Sequence, residues 1–145
     1  MVCLGNICRS PLAEGILRNK TKHLKISIDS AGIANYHIGA FPDSRAVQIA
    51  DKYNINLRNK KARQFSKDDF KNFDLIYAMD INNYKNLLSM TSNQKEKEKV
   101  HMILNEINPN LFKSVPDPYY GDESGFQEVY DILDKVCDKI VSKIE

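Results

Sequence analysis

Leu75-Ile76-Tyr77-Ala78-Met79 is an unbroken apolar run, too short for a buried helix and lacking the alternation of a half-exposed strand. A run of this kind is a strand covered on both faces, which calls for a parallel sheet with helices above and below it. The rest of the chain meets that demand. Ser10 followed by Pro11 predicts an N-cap and a first helical position, and Ala13, Ile16 and Leu17 give the buried stripe of a helix running towards Lys20. Lys25-Ile26-Ser27-Ile28-Asp29 alternates apolar and polar residues and predicts a short strand that stops at Ser30-Ala31-Gly32. Asp43 and Ser44 cap a second helix whose inward face is Ala46, Ile49, Ala50 and Tyr53. Residues 81–89 read as helix and Val100-His101-Met102-Ile103-Leu104 as strand. Ser124 and Gln127 have the spacing of a capping box, and Phe126, Val129, Tyr130, Leu133, Cys137, Ile140 and Ile144 follow at helical intervals. Asn93 to Lys99 is charge-rich and reads as a solvated loop or helix end. This alternation predicts an α/β fold with a parallel sheet and helices on both faces.

Composition narrows the class. The 145 residues suit one domain, 1–145, and 42% hydrophobic content is too high for disorder. No apolar run approaches the roughly 18 residues of a membrane span, and no secretory hydrophobic core follows Met1. A net charge of +2 argues against a protein organised to bind nucleic acid. The basic run Arg58, Lys60, Lys61 and Arg63 reads as a solvated edge that favours the approach of an anion. Three cysteines, two of them close together at Cys3 and Cys8, do not make a disulfide-stapled secreted scaffold. The expectation is a soluble cytoplasmic protein.

The chemistry is concentrated in Cys3-Leu4-Gly5-Asn6-Ile7-Cys8-Arg9-Ser10-Pro11. A short apolar lead-in is followed by a glycine-containing loop that runs straight into a helix start. Backbone N–H groups of such a loop and of the helix's first turn converge on one point and form an anion site, reinforced by the helix dipole. The same field favours the thiolate of a cysteine at the loop's entrance, Cys3. Arg9 offers a planar fork for two phosphate oxygens, and Ser10 can donate a hydrogen bond to the sulfur. A nucleophile beneath a tetrahedral-anion cradle is what covalent phosphoryl transfer requires. Far downstream, Asp117 stands between Pro116 and Pro118 on a stiffened backbone, placed to protonate a leaving oxygen and later to deprotonate water.

Together these segments resemble the low-molecular-weight protein tyrosine phosphatases. The likeness runs from the Cys3–Pro11 loop through Asp29-Ser30-Ala31-Gly32, Pro42-Asp43-Ser44-Arg45-Ala46 and Lys61-Ala62-Arg63-Gln64. It continues over Phe73-Asp74 to Ala78-Met79-Asp80 and ends at Pro116-Asp117-Pro118-Tyr119-Tyr120-Gly121. The resemblance implies a small doubly wound, four-stranded parallel sheet of flavodoxin-like order. It implies hydrolysis of phosphotyrosine proteins or small aryl phosphates through a cysteinyl-phosphate, with Cys3, Arg9 and Asp117 catalytic. It places Leu4, Gly5, Asn6, Ile7, Cys8, Arg9 and Ser10 around the phosphate and gives Asn6 a left-handed, bracing role. Tyr36, His37, Tyr119 and Tyr120 would line the cleft, His37 as an exposed loop residue. Cys8 would pair with Cys3 under oxidation. No cofactor, metal, membrane or nucleic-acid partner is implied, and the expected state is a monomer with weak dimerisation left open.

Two departures stand out. Only Met1 and Val2 precede Cys3, where relatives carry a strand of about five apolar residues, the usual length of a central strand; the first strand reads as truncated. Lys60 stands where relatives often have a histidine supporting the loop from behind, so that bond is expected to change. Two other functions compete with this reading. An arsenate reductase of the same fold needs two further cysteines to relay a disulfide, and the one that remains, Cys137, lies on the apolar stripe of the last helix. A phosphate-binding module without turnover would need neither Cys3 nor Asp117.

Overall fold

The computed structural model describes residues 1–145. Four parallel strands, β1 (Val2–Cys3), β2 (Ala31–Gly32), β3 (Ile76–Ala78) and β4 (Val100–Met102), form one sheet in the order β2-β1-β3-β4. The helices are α1 (Arg9–Lys20), α2 (Ser44–Lys52), α3 (Asp69–Asn72), α4 (Ile81–Ser89), α5 (Gln94–Lys97) and α6 (Glu123–Ile144), with a 3-10 turn at Ile103–Glu106. The order places β1 between β2 and β3, so the chain moves to one side of β1 and then returns to the other.

The period of two along each strand divides the core. Cys3, Tyr77 and Met79 face the larger apolar layer, with Leu12, Ile16, Ala46, Ala50, Phe126 and Leu133 from α1, α2 and α6. Val2, Ala31, Ile76, Ala78, Val100 and Met102 face the other layer, with Phe65, Phe70 and Leu87. Sheet positions buried on both sides are what the run at residues 75–79 required.

Several local expectations are corrected. The strand predicted at Lys25–Asp29 is not formed; β2 is Ala31–Gly32, whose two residues pair in parallel register with Val2 and Cys3 of β1. Strand β4 ends at Met102, where the 3-10 turn takes over Ile103 and Leu104. Ser10 is not a cap: Cys8 holds that position, and Ser10 is the second residue of α1. Asp122 rather than Ser124 caps α6, accepting the Ser124 N–H at 3.0 Å, while Gln127 turns to the Tyr53 hydroxyl at 2.9 Å. Asp43 and Asp80 cap α2 and α4 through their carboxylates. The charged stretch from Asn93 holds the single turn α5, with no buried residue.

A cavity of about 510 Å³ opens at the amino-terminal end of the sheet among Ile26, Ile28, Leu75, Ile140 and Ile144. A smaller cleft of about 110 Å³ lies at the carboxyl-terminal end and contains Cys3, Arg9 and Asp117. In an open parallel sheet the carboxyl end beside the topological switch point is where ligands bind, and here that point lies between β1 and β3.

Gly32 fixes how closely the loop after β1 approaches the sheet. A Cβ at this position would lie 2.9 Å from the Leu4 carbonyl oxygen, 3.0 Å from the Gly5 carbonyl carbon and 3.1 Å from the Asn6 nitrogen. All three are backbone atoms and cannot swing aside. Gly32→Ala is therefore expected to displace the loop, weakening inorganic phosphate binding by about tenfold or more. Calorimetric titration with phosphate checks this, and an unchanged dissociation constant would contradict the contact.

Candidate active site

The loop from Leu4 to Cys8 leaves the centre of the sheet and enters α1. Its carbonyl groups are drawn outward: Ile33 N–H donates to Cys3 O at 3.0 Å, Ala34 N–H to Leu4 O at 2.9 Å and Asp43 N–H to Ile7 O at 2.8 Å. The N–H groups of Gly5, Ile7 and Cys8 donate to no protein backbone acceptor. They remain available at the mouth of a helix whose dipole favours an anion.

Cys3 lies at the base of this loop, 3% exposed. Its Sγ receives the Asn6 N–H at 3.3 Å and stands 3.0 Å from Ser10 Oγ. Two polar groups thus face the sulfur. At Cys8, burial first, then the charges of Asp43 and Cys3, push the thiol above the ordinary range. The two cysteines share a loop and a cleft, and all three cysteines of the chain are free thiols.

Asn6 has φ of 59° and is 1% exposed. The left-handed backbone is one that asparagine tolerates among non-glycine residues. Every polar atom of its side chain is occupied. Nδ2 donates to Ser10 Oγ at 2.8 Å and to Ser30 Oγ at 2.9 Å, and Oδ1 accepts the Arg63 N–H at 3.0 Å. The side chains of Asn6 and Ser10 therefore lie behind the loop, and neither residue lines the cleft.

Arg9 opens α1 and is 3% exposed. Its Nη1 donates to Asp80 Oδ2 at 2.8 Å and to the Val115 carbonyl at 3.0 Å, while Nη2 lies 3.4 Å from Asp117 Oδ2. Asp80, at the end of β3, was read from the sequence only as part of a family segment. A carboxylate directly after a buried strand is the signal that could have marked it as the partner of a loop arginine.

Asp117 lies on the loop after Val115, and its Oδ1 accepts the Tyr119 N–H at 3.1 Å. The loop is anchored by Arg45, which the sequence reading did not single out. Arg45 donates to the carbonyls of Tyr119 at 2.9 Å and Gly121 at 2.8 Å, and its guanidinium lies 4.6 Å from the centre of the Phe126 ring. Asp43 grips the same guanidinium through both carboxylate oxygens, at 3.0 and 2.9 Å. The hydrogen bond to Arg45 outweighs burial and holds the Asp43 carboxyl below its ordinary range.

Tyr36, His37, Tyr119 and Tyr120 do line the cleft. Tyr36 and Tyr120 are 74% and 94% exposed. His37, expected to be exposed, is half-buried: its ring stands edge-on to both Tyr36 and Tyr119, 6.3 Å between centres in each case. It also packs against Gly5, where an added Cβ would lie 2.9 Å from its Cδ2. Lys60 bonds to the segment before β2 and to α1, with Asp29, Ser30 and Glu14 as its partners.

The geometry has close counterparts. The family model for low molecular weight phosphotyrosine protein phosphatase matches residues 1–145. A putative low molecular weight protein-tyrosine-phosphatase of Synechocystis is 41% identical, covering 99% of this chain and 93% of its own length. The crystal structure of a protein tyrosine phosphatase from Entamoeba histolytica superposes with a TM-score of 0.91 at 39% identity, over 99% of this chain and 93% of that one. Wzb of Vibrio vulnificus, solved with benzylphosphonate, superposes with a TM-score of 0.89 at 27% identity, over 99% and 95% of the two chains. With the loop after β1, the buried arginine and the aspartate loop meeting in one cleft, this chain belongs to the low molecular weight phosphotyrosine protein phosphatases.

Proposed function

We propose that this chain hydrolyses phosphotyrosine and related aryl phosphates in two steps through a cysteinyl-phosphate on Cys3. The observation that carries the reading is the Cys3 sulfur, supported by two hydrogen-bond partners at the base of an anion cradle, with Arg9 and Asp117 in the same cleft. The substrate phosphate lies among the loop N–H groups and takes the free edge of the Arg9 fork, whose other nitrogen stays on Asp80. The Cys3 thiolate attacks phosphorus, the S–P bond forms and the P–O bond to the phenol breaks. Asp117 supplies the proton that the departing phenoxide needs. Water then attacks phosphorus, Asp117 takes its proton, and the S–P bond breaks to release phosphate and the thiolate. The aromatic wall of Tyr36, Tyr119 and Tyr120 suits a phenyl ring, and benzylphosphonate in the related Wzb supports that class of ligand.

Cys3→Ser is expected to abolish turnover of a phosphotyrosine peptide, a loss of roughly 10⁴-fold or more. Stopped assays on phosphotyrosine and phosphoserine peptides check both the nucleophile and the substrate class. Activity that survives the substitution, or a preference for phosphoserine, contradicts the proposal.

Asp117→Asn is expected to slow phosphotyrosine hydrolysis by about 10²-fold or more and to affect esters of very acidic phenols far less, provided formation of the intermediate limits the rate. The measurement is turnover across phenols of graded acidity. The same dependence in wild type and variant would remove Asp117 from the role of acid.

A further inference from the structure

The loop that carries Asp117 is exposed from Tyr119 to Asp122, so burial alone does not hold it. It is tied down on both sides of the aspartate. Ahead of it, the Val115 N–H donates to the Met79 carbonyl at 2.8 Å, and the Val115 carbonyl accepts Arg9 Nη1 at 3.0 Å. After it, Pro118 is buried and a turn closes, with the Gly121 N–H donating to the Pro118 carbonyl at 3.0 Å. Arg45 is the one side chain that donates to carbonyls of this turn. It holds Tyr119 O through Nη2 and Gly121 O through Nη1, while Asp43 grips the same guanidinium from another edge.

The turn reaches the carboxyl through one residue. Asp117 Oδ1 accepts the Tyr119 N–H at 3.1 Å, an Asx turn, and the carbonyl of the same tyrosine is the one that Arg45 holds at 2.9 Å. The two carboxyl oxygens are thereby made unequal. Oδ1 has a backbone donor, whereas Oδ2 has only the long contact to Arg9 Nη2, at 3.4 Å. When the substrate phosphate takes that edge of Arg9, Oδ2 is left without a protein donor and beside the reacting group. A neutral carboxyl carries a single O–H. With Oδ1 already receiving an N–H, that proton belongs on Oδ2.

We propose that Arg45 is a positioning residue for the proton-transfer steps: by holding the Tyr119 turn it keeps Asp117 Oδ1 an acceptor and presents Oδ2 to the leaving oxygen. As the P–O bond breaks, the Oδ2 proton passes to the phenoxide oxygen. In the second step Oδ2 takes a proton from water while the water oxygen bonds to phosphorus and the S–P bond breaks. The task suits a planar fork, which meets a carboxylate along one edge and still has N–H groups for two carbonyls; a lysine ammonium has no such fork. Arg45 does not line the cleft, so its effect falls on proton transfer and not on phosphate binding. This rests on the reading of Asp117 as acid and base.

The test compares kcat/KM for a phosphotyrosine peptide, whose phenol needs a proton to leave, with kcat/KM for 2,4-dinitrophenyl phosphate, whose phenol does not. The ratio of the two is independent of the folded fraction of a variant. Arg45→Met and Arg45→Lys are each expected to lower this ratio about tenfold, with the inhibition constant of inorganic phosphate within about twofold of wild type. On an Asp117→Asn background, Arg45→Met is expected to change the ratio by less than about twofold, because the group it positions is gone. Losses equal for the two esters, or no loss, in either single variant overturn the proposal, as does a tenfold fall of the ratio that persists on the Asp117→Asn background. Asp117→Asn alone separates the two readings. If it leaves the ratio unchanged, the acid role falls and the positioning role with it; if it lowers the ratio and the Arg45 variants do not, only the positioning role falls.

Discussion

Asn6 is the joint on which the site depends. A buried residue in left-handed conformation costs on the order of 1 kcal/mol, and such a conformation persists only where its surroundings over-determine it. Here the surroundings are three separate parts of the chain: Ser10 in α1, Ser30 before β2 and the Arg63 backbone beside β2. One side chain thus ties the loop to the helix below it and to both segments beside it. The backbone N–H of the same residue reaches the Cys3 sulfur. The conformation that lets Asn6 turn the loop is also the one that delivers a donor to the nucleophile. Structural support and chemistry are a single arrangement at this position.

A second economy appears around Arg9. A guanidinium this deeply buried would be costly without partners, and an unpaired one would find whatever acceptor lay nearest. Asp80 and the Val115 carbonyl occupy one nitrogen and hold the plane of the fork, leaving the other edge in only a long contact with Asp117. That division keeps Arg9 rigid yet free to exchange a distant carboxylate for a phosphate. Arg45 does for the Asp117 loop what Asp80 does for Arg9. It is clamped by Asp43 at the start of α2, lies over Phe126 at the start of α6 and grips two carbonyls of an exposed loop. Asp117 is therefore positioned by the same helix layer that covers Cys3.

Much of this was legible before any coordinates. The apolar run at 75–79 demanded a doubly covered strand, and Ile76, Tyr77 and Ala78 are each buried in it. The thiol, the arginine and the distant aspartate were legible because each carries chemistry in its type and its immediate neighbours. What stayed illegible depends on long-range partners. Ser10 looked like a cap because serine before proline at a helix start usually is one; its hydroxyl instead faces a sulfur seven residues earlier. Residues 25–29 had the alternation of a strand, but alternation is local and cannot reveal that β1 pairs with Ala31 and Gly32 instead. Glu14 and Lys60 looked like ordinary charges, one on a helix and one in a basic run, and they meet across 46 positions of sequence.

The choice between the two cavities turns on the same distinction between shape and chemistry. The larger one has more volume and an apolar lining, which by size alone would make it the default ligand site. It lies at the amino-terminal end of the strands, where parallel topology assembles no loops around a switch point. The smaller cleft collects a helix start and the segment after β4, which bring Arg9 and Asp117, while Asp80 after β3 holds Arg9 from outside the lining. A small phosphate ester needs little volume, because its binding energy comes from directed hydrogen bonds and charge rather than from buried area. The fold concentrates the Cys3 sulfur, Arg9 and Asp117 at the crossover between β1 and β3, where a cleft of modest size suffices for such a ligand.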